Sequence, residues 1–452
     1  MFSASTKEAI KVALSIVIAL CLALWFEWEK PYWAAIAVSV MALNESFAHS
    51  LNKGHNRLLG TLLGVSYAFF LVAMFSQERF LFLTFLTAFL AVCIFMSSDE
   101  KYGYAFSIGF IVCCIITCMG GFDSANTFQY AVIRLQETIL GVAVFSFVFR
   151  LLWPADSEQK FLGYFESSRT ALIKAMQNPD TIDSEALANN ALTINKLKQL
   201  LNLPLSGSYH LKQHIKAWRL RVQEMAHLQD KLAQHTSGDL QQTEDWPDLI
   251  DRMENFNVLT PSQPLLDDNE RINLNLDRHA TWHKERRTFV QHLNEDGRKV
   301  IQGVSMFVTS LLIWIYLPVP GGFIFPMIAG VMSSLLPTMP PSAIKHAFFG
   351  TIGTGTAILL EYVFVMPMMS ELWQLALFYF VNVIIIWKVF SAPNLMIHRV
   401  LGINLLVVLT SGALNLTPAY TVVVPILMLI NLLVVLMIAK IFTDLFRTRV
   451  IF

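Results

Sequence analysis

A chain inside a lipid bilayer has no water to satisfy its backbone amides and carbonyls, so a long apolar run must form a helix there. This sequence contains twelve such runs, and they constrain the fold more than any other feature. In the first block they are Ala9–Phe26, Trp33–Phe47, Leu58–Phe75, Phe80–Ser97, Tyr104–Phe122 and Ala131–Trp153. In the second they are Lys299–Tyr316, Phe323–Pro337, Phe348–Val365, Glu371–Phe390, Leu395–Leu416 and Thr421–Leu445. Most have the roughly 17–25 residues a spanning helix needs. The second run of each block is shorter, at about 15 residues. No small-residue cleavage site follows the first run, which argues against a signal peptide.

Between the blocks the composition changes. Residues 156–299 hold 39 of the 66 charged residues and 7 of the 11 His. The spacing of Phe161, Leu162, Phe165, Leu172 and Ile173 predicts one helix face. Further helices are expected over Ser184–Leu201, Tyr209–His235 and around Leu249–Phe256, with a long helix from about Asp267 into the second block. The expected organisation is residues 1–155 as a first six-span repeat, 156–298 as a helical cytoplasmic domain and 299–452 as a second six-span repeat.

The two blocks align without a gap at an offset of 290, which puts Gly60-Thr61 on Gly350-Thr351, Tyr130 on Tyr420 and Arg150 on Lys440. Lys and Arg collect at one set of helix ends: Lys7, Lys11, Lys53, Arg57, Lys101, Arg150, Lys345, Lys388, Arg399 and Lys440. The opposite ends carry Lys30 and Arg79, with Arg134 just inside the span. The positive-inside rule then puts both termini and the insert in the cytoplasm. Six is an even number, so both halves enter from the same side and the repeat is parallel. The fold class expected is an all-α polytopic membrane protein, two parallel six-helix transmembrane repeats with a helical cytoplasmic insert.

Composition excludes several functions. Lys+Arg and Asp+Glu both total 33, so there is no basic excess for nucleic acid. The five Cys lie in apolar runs without a ligand pattern and read as small buried hydrophobes. His210/His214 and His279/His283 are i, i+4 pairs on polar segments and read as solvated faces. No P-loop is present, and no enzyme chemistry, cofactor or metal site is expected.

Two features point to transport. Arg134 and Glu137, i and i+3 in the sixth run, share a helix face and can pair. Ionisable groups inside a span are costly and usually face protein or a water cavity. Arg134 could hold an anionic group with Glu137 as counter-ion or proton carrier, or the two could be a structural pair. Their repeat equivalents are Val424 and Leu427, so the scaffold does not demand them. The short second runs come next, since paired short or Pro/Gly-interrupted spans mark transport sites. One starts Lys30-Pro31-Tyr32-Trp33 and closes at Asn44-Glu45; its partner is interrupted by Pro326. Tyr32 and Trp33 could stack on an aromatic ring or belong to an interfacial belt. The candidate substrate-contacting residues are Arg134, Glu137, Tyr32, Trp33, Asn44 and Pro326, with Glu137 and Glu45 for proton coupling. Gly60-x-x-x-Gly64 reads as helix packing. His49, Lys53, His55 and Arg57 form a basic cluster that topology explains as well as anion recruitment does.

Lys7, Lys30-Pro31-Tyr32-Trp33-Ala34-Ala35, Arg57-Leu58-Leu59-Gly60-Thr61-Leu62-Leu63-Gly64, Arg134-x-x-Glu137-x-x-x-Gly141 and Leu151-Leu152-Trp153-Pro154 together resemble the fusaric acid resistance/aromatic acid exporter family. That resemblance implies export of aromatic or other organic acids across the inner membrane. It also implies drive by the proton gradient, with a periplasmic adaptor and an outer-membrane channel as partners. A passive organic-anion channel and a non-transporting membrane scaffold are the rival readings. Oligomeric state stays open.

Overall fold

The computed structural model describes residues 3–42, 47–99, 102–153, 157–177, 184–202, 209–236, 246–255, 266, 289–392, 395–415 and 417–448. Among these residues all regular structure is helical, and nine helices are long and apolar enough to cross a membrane. Three shorter apolar helices, Tyr32–Met41, Ile324–Thr338 and Met396–Leu409, accompany them. The protein is an all-α, multi-pass membrane protein.

The chain divides into two compact units, one of Met1–Asn44, Lys53–Pro154 and Arg287–Phe452, the other of Glu45–Asn52 and Ala155–Arg286. The apolar helices of the first block are α1 (Ala4–Trp25), α2 (Tyr32–Met41), α3 (Phe47–Phe75), α4 (Arg79–Met96), α5 (Gly103–Gly120) and α6 (Ser124–Leu151). The second block gives α12 (Phe289–Tyr316), α13 (Ile324–Leu335), α14 (Ser342–Phe364), α15 (Leu372–Val389), α16 (Met396–Leu409) and α17 (Val423–Thr448). Between them lie α7 (Ser157–Gln177), α8 (Ser184–Asn202), α9 (Tyr209–Gln213), α10 (Ile215–Thr236) and α11 (Trp246–Glu254).

Three boundaries differ from those the apolar pattern predicts. The second run ends as helix at Met41, and Phe47 opens α3 instead. The run Leu395–Leu416 is helical only to Leu409, followed by a 3₁₀ turn over Ser411–Leu414. That turn is fixed by tertiary bonds: the Ala419 N–H donates to the Gly412 carbonyl at 3.0 Å, and Tyr362 Oη donates to the Ala419 carbonyl at 2.9 Å. A Cβ at Gly412 would lie 2.5 Å from both the Ala419 carbonyl and Tyr362 Oη, so the turn needs glycine. The run Tyr209–His235 is split at His214 into α9 and α10. A helix from Asp267 to residue 288 falls outside the described residues.

The second unit is built around Trp218 of α10, which sits edge-on to Phe161 and Phe165 of α7 at 5.1 and 5.2 Å. Leu172, Leu197, Val222, Met225 and Leu228 complete the dry interior. Arg169 caps α11 by donating Nε to the Met253 carbonyl and Nη2 to the Glu254 carbonyl, both at 2.7 Å. Those carbonyls end a helix and would otherwise lack donors.

In the first unit the contacts between the two helix groups are reciprocal. α1 packs on α15 and α12 on α4; α2 packs on α16 and α13 on α5. One side-chain contact recurs at the offset of 290. Lys388 Nζ donates to Thr6 Oγ1 at 2.6 Å, and at the matched positions Ser98 Oγ donates to Asp296 Oδ1 at 2.5 Å. Another does not: Ser39 Oγ reaches Asn404 Oδ1 at 2.9 Å, while Cys114, at the position matching Asn404, points its thiol to the carbonyl of Pro326, which matches Ile36. Inside each group a glycine sets the closest approach. A Cβ on Gly60 would lie 2.4 Å from the Ala105 carbonyl and 3.0 Å from Ile108 Cβ; one on Gly350 would lie 2.8 Å from Nδ1 of His398, which matches Ile108.

One turn on, a Cβ at Gly64 would lie 2.4 Å from the Gly109 carbonyl, a backbone atom that cannot step aside. Overpacking of this kind costs about 1–3 kcal/mol. Gly64→Val should therefore lower the thermal unfolding midpoint of the purified protein. Gly353→Ala, where a Cβ meets nothing within 4 Å, should leave it unchanged or raise it slightly.

Candidate functional site

The site lies where α2 meets α6. Small residues make that meeting close: Ala34, Ala35 and Ala37 of α2 are fully buried. On α6, a Cβ at Gly141 would stand 2.7 Å from Ala37 Cβ and 2.8 Å from the Ala34 carbonyl. Local chemistry fixes both helix starts. Asp123 caps α6 by accepting from the Ala125 N–H at 2.8 Å, as a short acceptor side chain does at that position. Pro31 precedes α2, and Gln129 Nε2 donates to Glu29 Oε1 at 2.9 Å, tying the approach to α2 onto α6.

This packing lays the Arg134 guanidinium on the indole of Trp33, with Cζ 3.3 Å from the ring centroid. Tyr32 stands beside Trp33 with ring centroids 5.1 Å apart. Arg134 is only 7% exposed, and Glu137 only 1%. The ion pair that their i, i+3 spacing allows does not form. Arg134 Nε and both Glu137 carboxylate oxygens are buried without hydrogen-bond partners. Base-first order does not forbid such a pair, since Arg221 and Glu224 of α10 make one at 2.6 Å at the same spacing. What differs here is the neighbouring helix: the Arg134 guanidinium lies on Trp33 of α2 instead. Thr138 offers no replacement, since its hydroxyl donates back to the Arg134 carbonyl at 2.8 Å.

A guanidinium on a desolvated indole gains about 2 kcal/mol. Keeping a charge out of water costs on the order of several kcal/mol per ion. The stack therefore orients Arg134 without fully compensating its burial, and donor capacity is left for a further anionic group. Although they make no hydrogen bond, Arg134 and Glu137 are each other's main charged neighbour, with Arg57 a weaker influence on Arg134 and Lys30 on Glu137.

Of the residues singled out by sequence, Tyr32, Trp33, Arg134 and Glu137 come together here. Pro326 is buried on α13, with its carbonyl facing Cys114 of α5, and no described contact joins it to Arg134. Asn44 and Glu45 lie outside the described residues, as do Asp267, His279 and His283. Two contributors were not legible. Arg57 read as part of a basic cluster, yet it is 8% exposed, with Nη1 donating to Tyr104 Oη at 3.2 Å. Gly141 stood in the motif, but its contact with α2 is a tertiary fact. Among the described residues no three His, Cys, Asp or Glu side chains converge as metal ligands.

Residues 8–230 match the model of the fusaric acid resistance protein family. The chain is 28% identical over 144 residues to the p-hydroxybenzoic acid efflux pump subunit AaeB of Musicola paradisiaca, a stretch that is 30% of this chain and 22% of that protein. It is 24% identical over 204 residues to the uncharacterized transporter YdhK of Salmonella typhimurium, 42% of this chain and 30% of that protein. The chain thus covers less than a third of the length of either relative.

If Gly141 sets the α2–α6 distance, Gly141→Ala should lower thermal stability by about 1–3 kcal/mol. Adding Ala37→Gly should restore part of it by removing the closer of the two contacts. Unfolding midpoints of the single and double variants in detergent check this; full independence of the two changes would contradict it.

Proposed function

We propose that this protein is an exporter of small aromatic or other organic carboxylates in a bacterial inner membrane, driven by the proton gradient. The observation that carries the reading is Arg134: a nearly fully buried guanidinium in a membrane-spanning helix, oriented by Trp33 and not hydrogen-bonded to the nearby Glu137 carboxylate. Intramembrane cations of this kind mark substrate paths. A carboxylate can accept two parallel N–H bonds from one guanidinium. The rings of Tyr32 and Trp33 supply an apolar wall beside it, which suits an acid with an aromatic body. Glu137, three residues along the same helix, carries the proton in exchange for the anion. Asn44, Glu45 and Pro326 complete the proposed path, the first and last as substrate contacts and Glu45 as a second proton group. The matched family and the printed names of the relatives support a transporter over an enzyme.

The scaffold in this reading is a parallel duplication, residues 1–155 and 299–452, joined by a helical cytoplasmic domain over 156–298. Reciprocal packing of α1 on α15 and α12 on α4 supports it. Both termini are assigned to the cytoplasm by the distribution of Lys and Arg. The relatives named as pump subunits favour a periplasmic adaptor and an outer-membrane channel as partners.

Efflux of radiolabelled 4-hydroxybenzoate from loaded cells tests the roles. Arg134→Gln should reduce efflux at least about tenfold at unchanged protein abundance, the weight of one or more charge-assisted hydrogen bonds. Unchanged efflux would remove Arg134 from the path. Glu137→Gln should abolish uphill transport while leaving substrate binding measurable. Collapsing the proton gradient should also stop uphill export in the native protein; continued anion flow only down its own gradient would favour a channel.

A further inference from the structure

Arg57 is the strongest candidate outside the Trp33–Arg134 pair. It lies on α3, near the membrane end that carries Gly54, and its side chain is buried at 8% exposure. Its surroundings are built. The Tyr104 hydroxyl accepts from Nη1 at 3.2 Å, and Thr61 donates to the Arg57 carbonyl at 2.9 Å. The bare surface of Gly60 lets α5 approach to within contact of the α3 backbone and brings Tyr104 alongside. Nε nevertheless points into the interior without a partner. Among the described residues no acidic side chain pairs with it. Burying an unpaired guanidinium is costly, and an anion at its head would relieve that cost. A structural arginine at this position would be expected to have an acid or a set of carbonyls around its head; this one has one phenol.

We infer that Arg57 is a second carboxylate subsite of the same path, where the substrate anion docks before transfer to the Trp33-backed guanidinium. The inference rests on the proposed transport function. Tyr104 is a positioning residue: it holds one face of the guanidinium and leaves Nε and Nη2 for the ligand. Arg57 and Arg134 then offer the anion two attractive positions. Weak binding at several positions allows both entry and release, as conduction through a pore requires.

The test uses the full-length protein reconstituted in liposomes, with 4-hydroxybenzoate as probe and 4-hydroxybenzamide as its uncharged counterpart. Arg57→Gln should raise the half-saturating concentration of 4-hydroxybenzoate by about tenfold or more, the weight of one charge-assisted hydrogen bond. The saturated rate should change much less. Arg57→Lys, which keeps the charge but not the fork, should fall between native and Arg57→Gln. Competition by the neutral amide should be the same in all three. Tyr104→Phe should raise half-saturation by less than about threefold, because the cation remains. A half-saturation in Arg57→Gln equal to native, with folded protein shown by an unchanged elution profile, would overturn the subsite. In that outcome a loss of transport in Arg134→Gln would still stand for the parent reading. No transport of the acid by the native protein would overturn both. A fall in saturated rate with unchanged half-saturation, or equal losses in Arg57→Lys and Arg57→Gln accompanied by a lower unfolding midpoint, would make Arg57 structural and overturn the subsite as well.

Discussion

The flat face of Trp33 can meet the Arg134 guanidinium at 3.3 Å because α6 presents no side chain at Gly141. One turn of small residues on α2, from Ala34 to Ala37, provides the other half of that contact. The stack settles how Arg134 is aimed, and the aim in turn decides that Glu137 is left alone. A chain with a larger residue at 141 would hold the helices apart, loosen the stack and leave Arg134 free to swing toward the acid. The site is thus produced by a packing constraint first and by charge second.

That local arrangement has no counterpart at the matching positions of the second block. Position 431, matching Gly141, is Asn431, which is 1% exposed and donates Nδ2 to the Pro320 carbonyl at 3.3 Å. Where α6 lets α2 slide in, α17 instead grips the turn before α13. That turn runs through Gly321 and Gly322 at φ of 99° and 57°, the left-handed region that favours glycine. Val424 and Leu427 stand at the positions matching Arg134 and Glu137. The Arg134/Glu137 pair therefore has no counterpart at the matching positions, although the second half carries ionisable groups of its own, with Arg399 over the Trp387 ring at 4.5 Å and Asp296 fully buried.

Much of this was readable from residues. The spans came from apolar length, and the short second helices from their Pro- and Gly-bounded runs. The offset of 290 came from spacing and recurs in the Thr6–Lys388 and Asp296–Ser98 contacts. Trp33, Tyr32, Arg134 and Glu137 could be named because charges and aromatics stand out against apolar sequence. What could not be read was direction and distance. Spacing of i, i+3 says that two side chains share a face, and leaves open that one folds onto a neighbouring helix. Nothing local distinguishes Arg57 from the other basic residues of its cluster, because its burial depends on how closely α5 lies against Gly60. The end of α16 at Leu409 likewise depends on Tyr362, far away in sequence.

The most direct measurement of the central claim is a structure of the protein in lipid with a bound aromatic carboxylate. The account predicts the carboxylate oxygens within about 3 Å of the Arg134 guanidinium, the hydrogen-bond range for charged partners. The ring should lie beside Tyr32 and Trp33, and the Arg134–Trp33 stack should persist. Ligand bound elsewhere, with Arg134 turned into an ion pair with Glu137, would contradict it.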